Sequence, residues 1–115
     1  MERINIATGA PWEEKVGYSR AVRIGNIIEV SGTVALKGGD LVGKGNAYLQ
    51  TKRILEIIED VLNQAGAQMK DVVRTRMYVT NISQWEEIGR AHGEVFRDIR
   101  PATTMVEVAQ LINPD

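Results

Sequence analysis

Hydrophobic periodicity changes several times along the chain, and this alternation restricts the fold more than any single motif. Over residues 47–65 apolar side chains recur at helical spacing. Ile54, Ile57, Ile58, Val61, Leu62 and Ala65 share one face, while Arg53, Glu56, Glu59, Asp60 and Asn63 turn mostly outward. Gly66 stands where a left-handed residue is expected to close the helix. A second helix is predicted from Ser83, with Glu86 three residues on completing a capping box. Its apolar stripe is Trp85, Ile88, His92, Val95, Phe96 and Ile99, and Pro101 ends it.

Between and around the helices the period is that of strands. Residues 3–7, 21–24, 27–33, 71–80 and 103–108 read as strands, with Gly25-Asn26 as a two-residue hairpin turn. Residues 8–11 read as a loop, and residues 37–46 (KGGDLVGKGN) as a loop or small hairpin. Two amphipathic helices suffice to cover one face of one sheet, so 115 residues read as a single two-layer α+β domain with both helices on one face. If Val73, Met77, Val79, Val106 and Val108 face the helices, then Arg74, Arg76, Tyr78, Thr103, Met105 and Glu107 face away. That second face is either solvated or packed against further copies of the chain.

Composition removes several chemistries. There is no cysteine, so disulfides, thiol nucleophiles and cysteine zinc sites are excluded, and with one histidine, His92, paired-histidine chemistry is excluded too. Fourteen basic against 15 acidic residues give a net charge of −1, which supplies no field for nucleic acid or an anionic membrane. The N-terminal MERINIATGAPWEEK has no apolar run of a signal peptide, and no stretch is long enough to span a bilayer, so the cytoplasm is expected. Residues 38–45 imitate a phosphate-binding GxxxxGK loop, but Gly45 replaces the metal-binding hydroxyl, and a glycine-rich hairpin explains the pattern more simply. Ser31 lacks the GxSxG context of a hydrolase nucleophile. His92, on an apolar stripe, reads as a hydrogen-bonded histidine at the core edge, with a general base as the rarer alternative.

Four segments together resemble one known family: GYSRAVRIGNIIEVSGTVAL (17–36), the AGA after the first long helix (65–67), DVVRTRMYVTNISQW (71–85) and RPATTMVEVAQL (100–111). In this order, from Tyr18 to Leu111, the chain resembles the Rid family, the reactive intermediate deaminases also called the YjgF/YER057c/UK114 family. The resemblance implies a chorismate-mutase-like fold whose sheets form a central barrel in a homotrimer. It implies clefts between subunits that bind small carboxylates or imine-type metabolites. Active members hydrolyse enamines and imines there: water attacks the imine carbon and ammonia leaves, with no metal or organic cofactor.

Carried over residue by residue, Tyr18, Ser31 and Gly32 match the family's tyrosine and Ser-Gly site elements. Deaminase-active members read Pro-Ala-Arg in the last segment, and that arginine clamps the substrate carboxylate. Thr103 holds its position here, so a carboxylate loses about 1.5–3 kcal/mol or more of binding. Met105 stands where a cysteine is frequent, Gly89 where an asparagine is usual, and Glu107 keeps the acidic position of the Val-Glu-Val motif. Arg76, expected on the same face as Thr103 and Met105, is either a substitute charge for the ligand, with Arg74 as the second candidate for that role, or part of an ion pair between subunits, for instance with Glu107. The family's last strand, with an acid that positions water, follows the loop in which these 115 residues stop. The expected function is therefore a small-molecule-binding protein, deaminase-like with altered or lost activity. The alternatives are a non-catalytic module for a metabolite or partner protein, and a ribonuclease or translation inhibitor.

Overall fold

In the computed structural model, which describes all 115 residues, the chain runs β1 (Arg3–Ile6), α1 (Pro11–Val16), β2 (Ala21–Ile24), β3 (Ile27–Val30), β4 (Leu36–Lys37), β5 (Asp40–Leu41), α2 (Ala47–Gln64), β6 (Arg74–Val79), α3 (Trp85–Phe96) and β7 (Ala102–Glu107). β1, β2 and β3 form an antiparallel sheet in that order. β6 and β7 form a separate parallel pair, joined through α3 as parallel neighbours require. The expected single sheet is thus three hydrogen-bonded ladders, with β4 and β5 forming a two-residue hairpin of their own.

The turns follow from glycine. Gly25 takes φ +57° between Ile24 and Ile27, and Gly38 and Gly39 take φ +60° and +88° between β4 and β5. The GxxxxGK imitation is therefore a tight hairpin and turn, and Lys44 lies exposed, 3.5 Å from Asp115. α2 begins at Asn46, whose side chain accepts from the Leu49 N–H. It ends as its sequence predicts: Gly66 takes φ +87°, Gly66 N–H donates to Asn63 O and Ala67 N–H to Leu62 O.

Three local readings need correction. α1 lies within a stretch without an apolar period and starts on Pro11 at its first turn, while Trp12 stays 61% exposed. The capping box at Ser83 does not form. Asn81 Oδ1 accepts both the Ser83 N–H and the Ser83 hydroxyl, so Asn81 caps a 3-10 turn (Ile82–Gln84) that contains Ser83, and α3 starts only at Trp85, behind Gln84, with no side-chain cap. Trp85, at the helix's very start, is 56% exposed rather than part of the stripe.

The core has two parts. Ile6, Ala21, Val61 and Ala65 pack the antiparallel sheet on α2, and Leu55, Leu62, Met69 and Phe96 pack α2 on α3. Outside the core, Tyr48 Oη donates to Glu94 across α2 and α3, beside Lys52 at 3.2 Å. The accessible surface is 8015 Å², against about 6,300 Å² expected of a self-contained protein of this mass. The excess includes apolar residues on the strands: Ile27, Tyr78 and Val106 are 65%, 56% and 39% exposed. No helix is long and apolar enough to cross a membrane.

Candidate functional site

Tyr18 and Ser31 border one open cleft of about 540 Å³, together with Arg3, Glu14 and Glu29. A buried ion pair builds its floor. Glu13, at 7% exposure, accepts hydrogen bonds from the Thr8 N–H and the Thr8 hydroxyl. Arg20, at 8%, lies 3.7 Å from Glu13 and donates to the Gly32 carbonyl and to Thr33 Oγ1. Its guanidinium also sits 5.4 Å from the Tyr18 ring. One buried arginine therefore holds both Tyr18 and the Ser31–Thr33 turn. Ser31 is fixed as well: its N–H donates to Arg20 O at 2.9 Å and its hydroxyl to Ser19 O at 2.6 Å. With its hydrogen so engaged and no base beside it, Ser31 is not set up as a nucleophile.

The remaining candidates sit on β6, α3 and β7. The parallel register pairs Thr75 with Thr103, Met77 with Met105 and Val79 with Glu107, whereas Arg76 pairs with Thr104. Paired residues in a parallel ladder point to the same side, so Arg76 projects from the face opposite Thr103, Met105 and Glu107. This corrects the expected grouping. Within one protomer Arg76 therefore stands on the other side of the pair from Thr103 and Glu107; its row is Ala102, Thr104 and Val106. The cause is a one-residue difference in phase between the strands, which apolar alternation alone does not fix. The polar row, exposed at Thr103 and Glu107, finds hydrogen-bond partners on its own side of the pair. Thr103 Oγ1 lies 2.8 Å from Thr75 Oγ1, Thr75 Oγ1 lies 2.9 Å from His92 Nε2, and Glu107 accepts from the Ile82 N–H at 3.0 Å.

His92 is the hydrogen-bonded residue at the core edge that its position predicts. Its ring tilts against Phe96 at 4.6 Å, and burial pushes its pKa below the ordinary 6.5. It also lines a hollow of about 250 Å³ with Arg97, Arg100 and Pro101. Gly89, one turn earlier on α3, has nothing within 4 Å of where a side chain would begin, so no close contact demands glycine there. Met105 is half-buried. No three His, Asp or Glu side chains converge as a metal-binding group. Within one protomer the candidates thus form two groups, Tyr18 with Ser31 and Gly32, and Thr103 with Met105 and Glu107, which no hydrogen bond joins. The sequence reading missed Glu13, Arg20 and Thr75. A charged pair seven residues apart around a Pro-Trp start and a Gly turn was the available signal for the first two.

Residues 9–115 match the family model Endoribonuclease L-PSP. The crystal structure of Rv2704 from Mycobacterium tuberculosis, described as a member of the YjgF/YER057c/UK114 family, is 49% identical. It superposes with a TM-score of 0.88 over 98% of this chain and 90% of that one. The 3-aminoacrylate deaminase RutC of Acinetobacter baylyi is 34% identical over 85% of this chain and 78% of its own length. A Streptomyces coelicolor protein, the uncharacterized SCO2049, is 37% identical over 94% of this chain and 81% of its own. The chain belongs to this family, the YjgF or Rid family.

Proposed function

We propose that the protein is a cytoplasmic single-domain homotrimer that binds imine- or enamine-type metabolites in clefts between subunits, hydrolysing them with a specificity altered at Thr103. The observation that carries this is the division of the site. The Tyr18–Ser31 cleft is built and rigid but open on one side, and the Thr103 row lies apart from it on β7. Each protomer would supply one half to a neighbour. The surface excess of roughly 1,700 Å², with Tyr78 and Val106 exposed, is what burial in an oligomer would remove. Central packing of the β6–β7 faces would make the barrel that the resemblance implies. The deaminase among the relatives supports imine chemistry, which needs only a held substrate, a water and a path for ammonia.

In that reading Tyr18, Ser31 and Gly32 orient the substrate, Thr103 contacts its second polar group, and Met105, Gly89 and Glu107 shape the opposite wall. No metal or organic cofactor takes part. A histidine-pair ribonuclease mechanism is not available to a chain with one histidine. The test generates imines with an amino-acid oxidase and follows ammonia release with the purified protein. Accelerated release supports the hydrolase. Absence of acceleration across several side chains, with ligand binding retained, favours the second reading, a non-catalytic binding module, to which the neutral Thr103 lends support. Light scattering should give three times the 12.8 kDa chain mass, and a monomer would contradict the shared site.

A further inference from the structure

A chain of three hydrogen bonds runs from α3 to the start of β7, and only one placement of its hydrogens satisfies all of them. His92 Nε2 lies 2.9 Å from Thr75 Oγ1, which lies 2.8 Å from Thr103 Oγ1, which lies 3.1 Å from the Pro101 carbonyl oxygen. Three bonds need three hydrogens, and the two hydroxyls supply two. The Pro101 carbonyl only accepts, so Thr103 donates to it. Thr75 then donates to Thr103, and the third hydrogen sits on His92 Nε2, which donates to Thr75.

We infer that Thr103, its one hydrogen committed to Pro101, meets a ligand as a hydrogen-bond acceptor, so the site selects a group bearing N–H over a carboxylate. This rests on the proposed function, which puts Thr103 against the ligand, and it names the substrate class: imines or enamines whose second polar group is an amide or amine rather than an acid. Thr103 is exposed, so its free lone pair is within reach. A carboxylate placed there faces that lone pair and gains a bond only by breaking the one to Pro101. The other half of the site has the same bias. The Ser31 hydroxyl donates to Ser19 O, Glu14 and Glu29 line the cleft, and its two cations are engaged, Arg3 with Asn5 and the buried Arg20 with Glu13 and the Gly32 carbonyl. His92 is a positioning residue that acts through Thr75 by setting the direction of the chain.

The matched probes are 2-oxobutyrate and 2-oxobutanamide, which differ only in carboxylate against amide, titrated into the full-length protein with amide NMR signals of Thr103 and Ser31 as the readout. The amide should bind about tenfold tighter or more, the worth of one hydrogen bond, and the His92 ring should carry its hydrogen on Nε2. Thr103→Val, which keeps the volume and removes the acceptor, should abolish the preference. His92→Gln, which keeps a donor, should retain it, and His92→Leu should weaken it. Tighter or equal binding of the acid, binding of neither probe, or a hydrogen on Nδ1 overturns the inference. Ammonia release judges the imine chemistry separately: release from imino acids, together with acid binding at Thr103, would leave that chemistry standing and remove this specificity.

Discussion

The cleft and the β7 threonine row hold their polar groups by opposite means. In the cleft a buried charge pair, Glu13 and Arg20, organises everything around it, from Tyr18 to the Gly32 carbonyl. On β7 the organising chain is neutral, two hydroxyls and an imidazole at the edge of the core. A buried ion pair is costly to break, because one partner removed leaves the other charged and without water. A hydroxyl chain is cheap to break but directional, so it decides what kind of group its exposed end accepts. In the proposed site the cleft would supply rigidity and the threonine row selectivity.

Breaking the cleft should have the largest effect on stability. Arg20→Ala strands the Glu13 carboxylate and should cost about 3–5 kcal/mol in denaturant unfolding. The double variant Arg20→Met with Glu13→Gln should recover much of that loss. A single-variant loss below about 1 kcal/mol would show that the pair is solvated and that the two regions do not differ as described. On the β7 side, Thr75→Val removes the middle link and should cost only about 1 kcal/mol. Calorimetry of the two variants side by side measures the contrast directly.

The smallest effect is a pH dependence. Burial holds His92 below its ordinary 6.5, so the unfolded chain binds more protons than the folded one just below that pH. The stability that comes from keeping His92 neutral is complete above about pH 6.5 and is lost as pH falls toward the folded-state value. With one histidine in the chain, the comparison is clean. His92→Gln should flatten the stability profile below about pH 6.5. An unchanged slope in the variant would place His92 in solvent, outside the hydrogen-bonded row.

Elements with a sustained period were legible in the sequence. α2 was, down to the left-handed Gly66, and so was the Gly25-Asn26 hairpin, since each rests on local spacing and glycine geometry. α1 was not, because six residues starting at Pro11 show no repeat, and the residue that matters in it, Glu13, is buried by an ion pair rather than by hydrophobicity. The phase of β7 was not legible either. Val106 and Val108 read as core residues from alternation, yet it is Thr103 and Glu107 that share a side with Thr75 and bond to it and to the Ile82 N–H. Such pairing depends on register between strands far apart in sequence, which alternation within each strand leaves free. The candidate residues divide in the same way: Tyr18 and Ser31, taken from the family resemblance, border one cleft, while Arg76 stands on the side of the β6–β7 pair opposite to the one its alternation suggests.

The central claim is that Thr103 sets an imine-processing site against carboxylates, and one comparison tests it most directly. Ammonia release from oxidase-generated 2-imino acids should be measured for the protein and for Thr103→Arg, both confirmed folded and of equal oligomeric mass. Restoring a charged donor should raise kcat/KM on these acids by roughly ten- to a hundredfold. Full activity of the unaltered protein on the acids, with no gain in the arginine variant, would contradict the account.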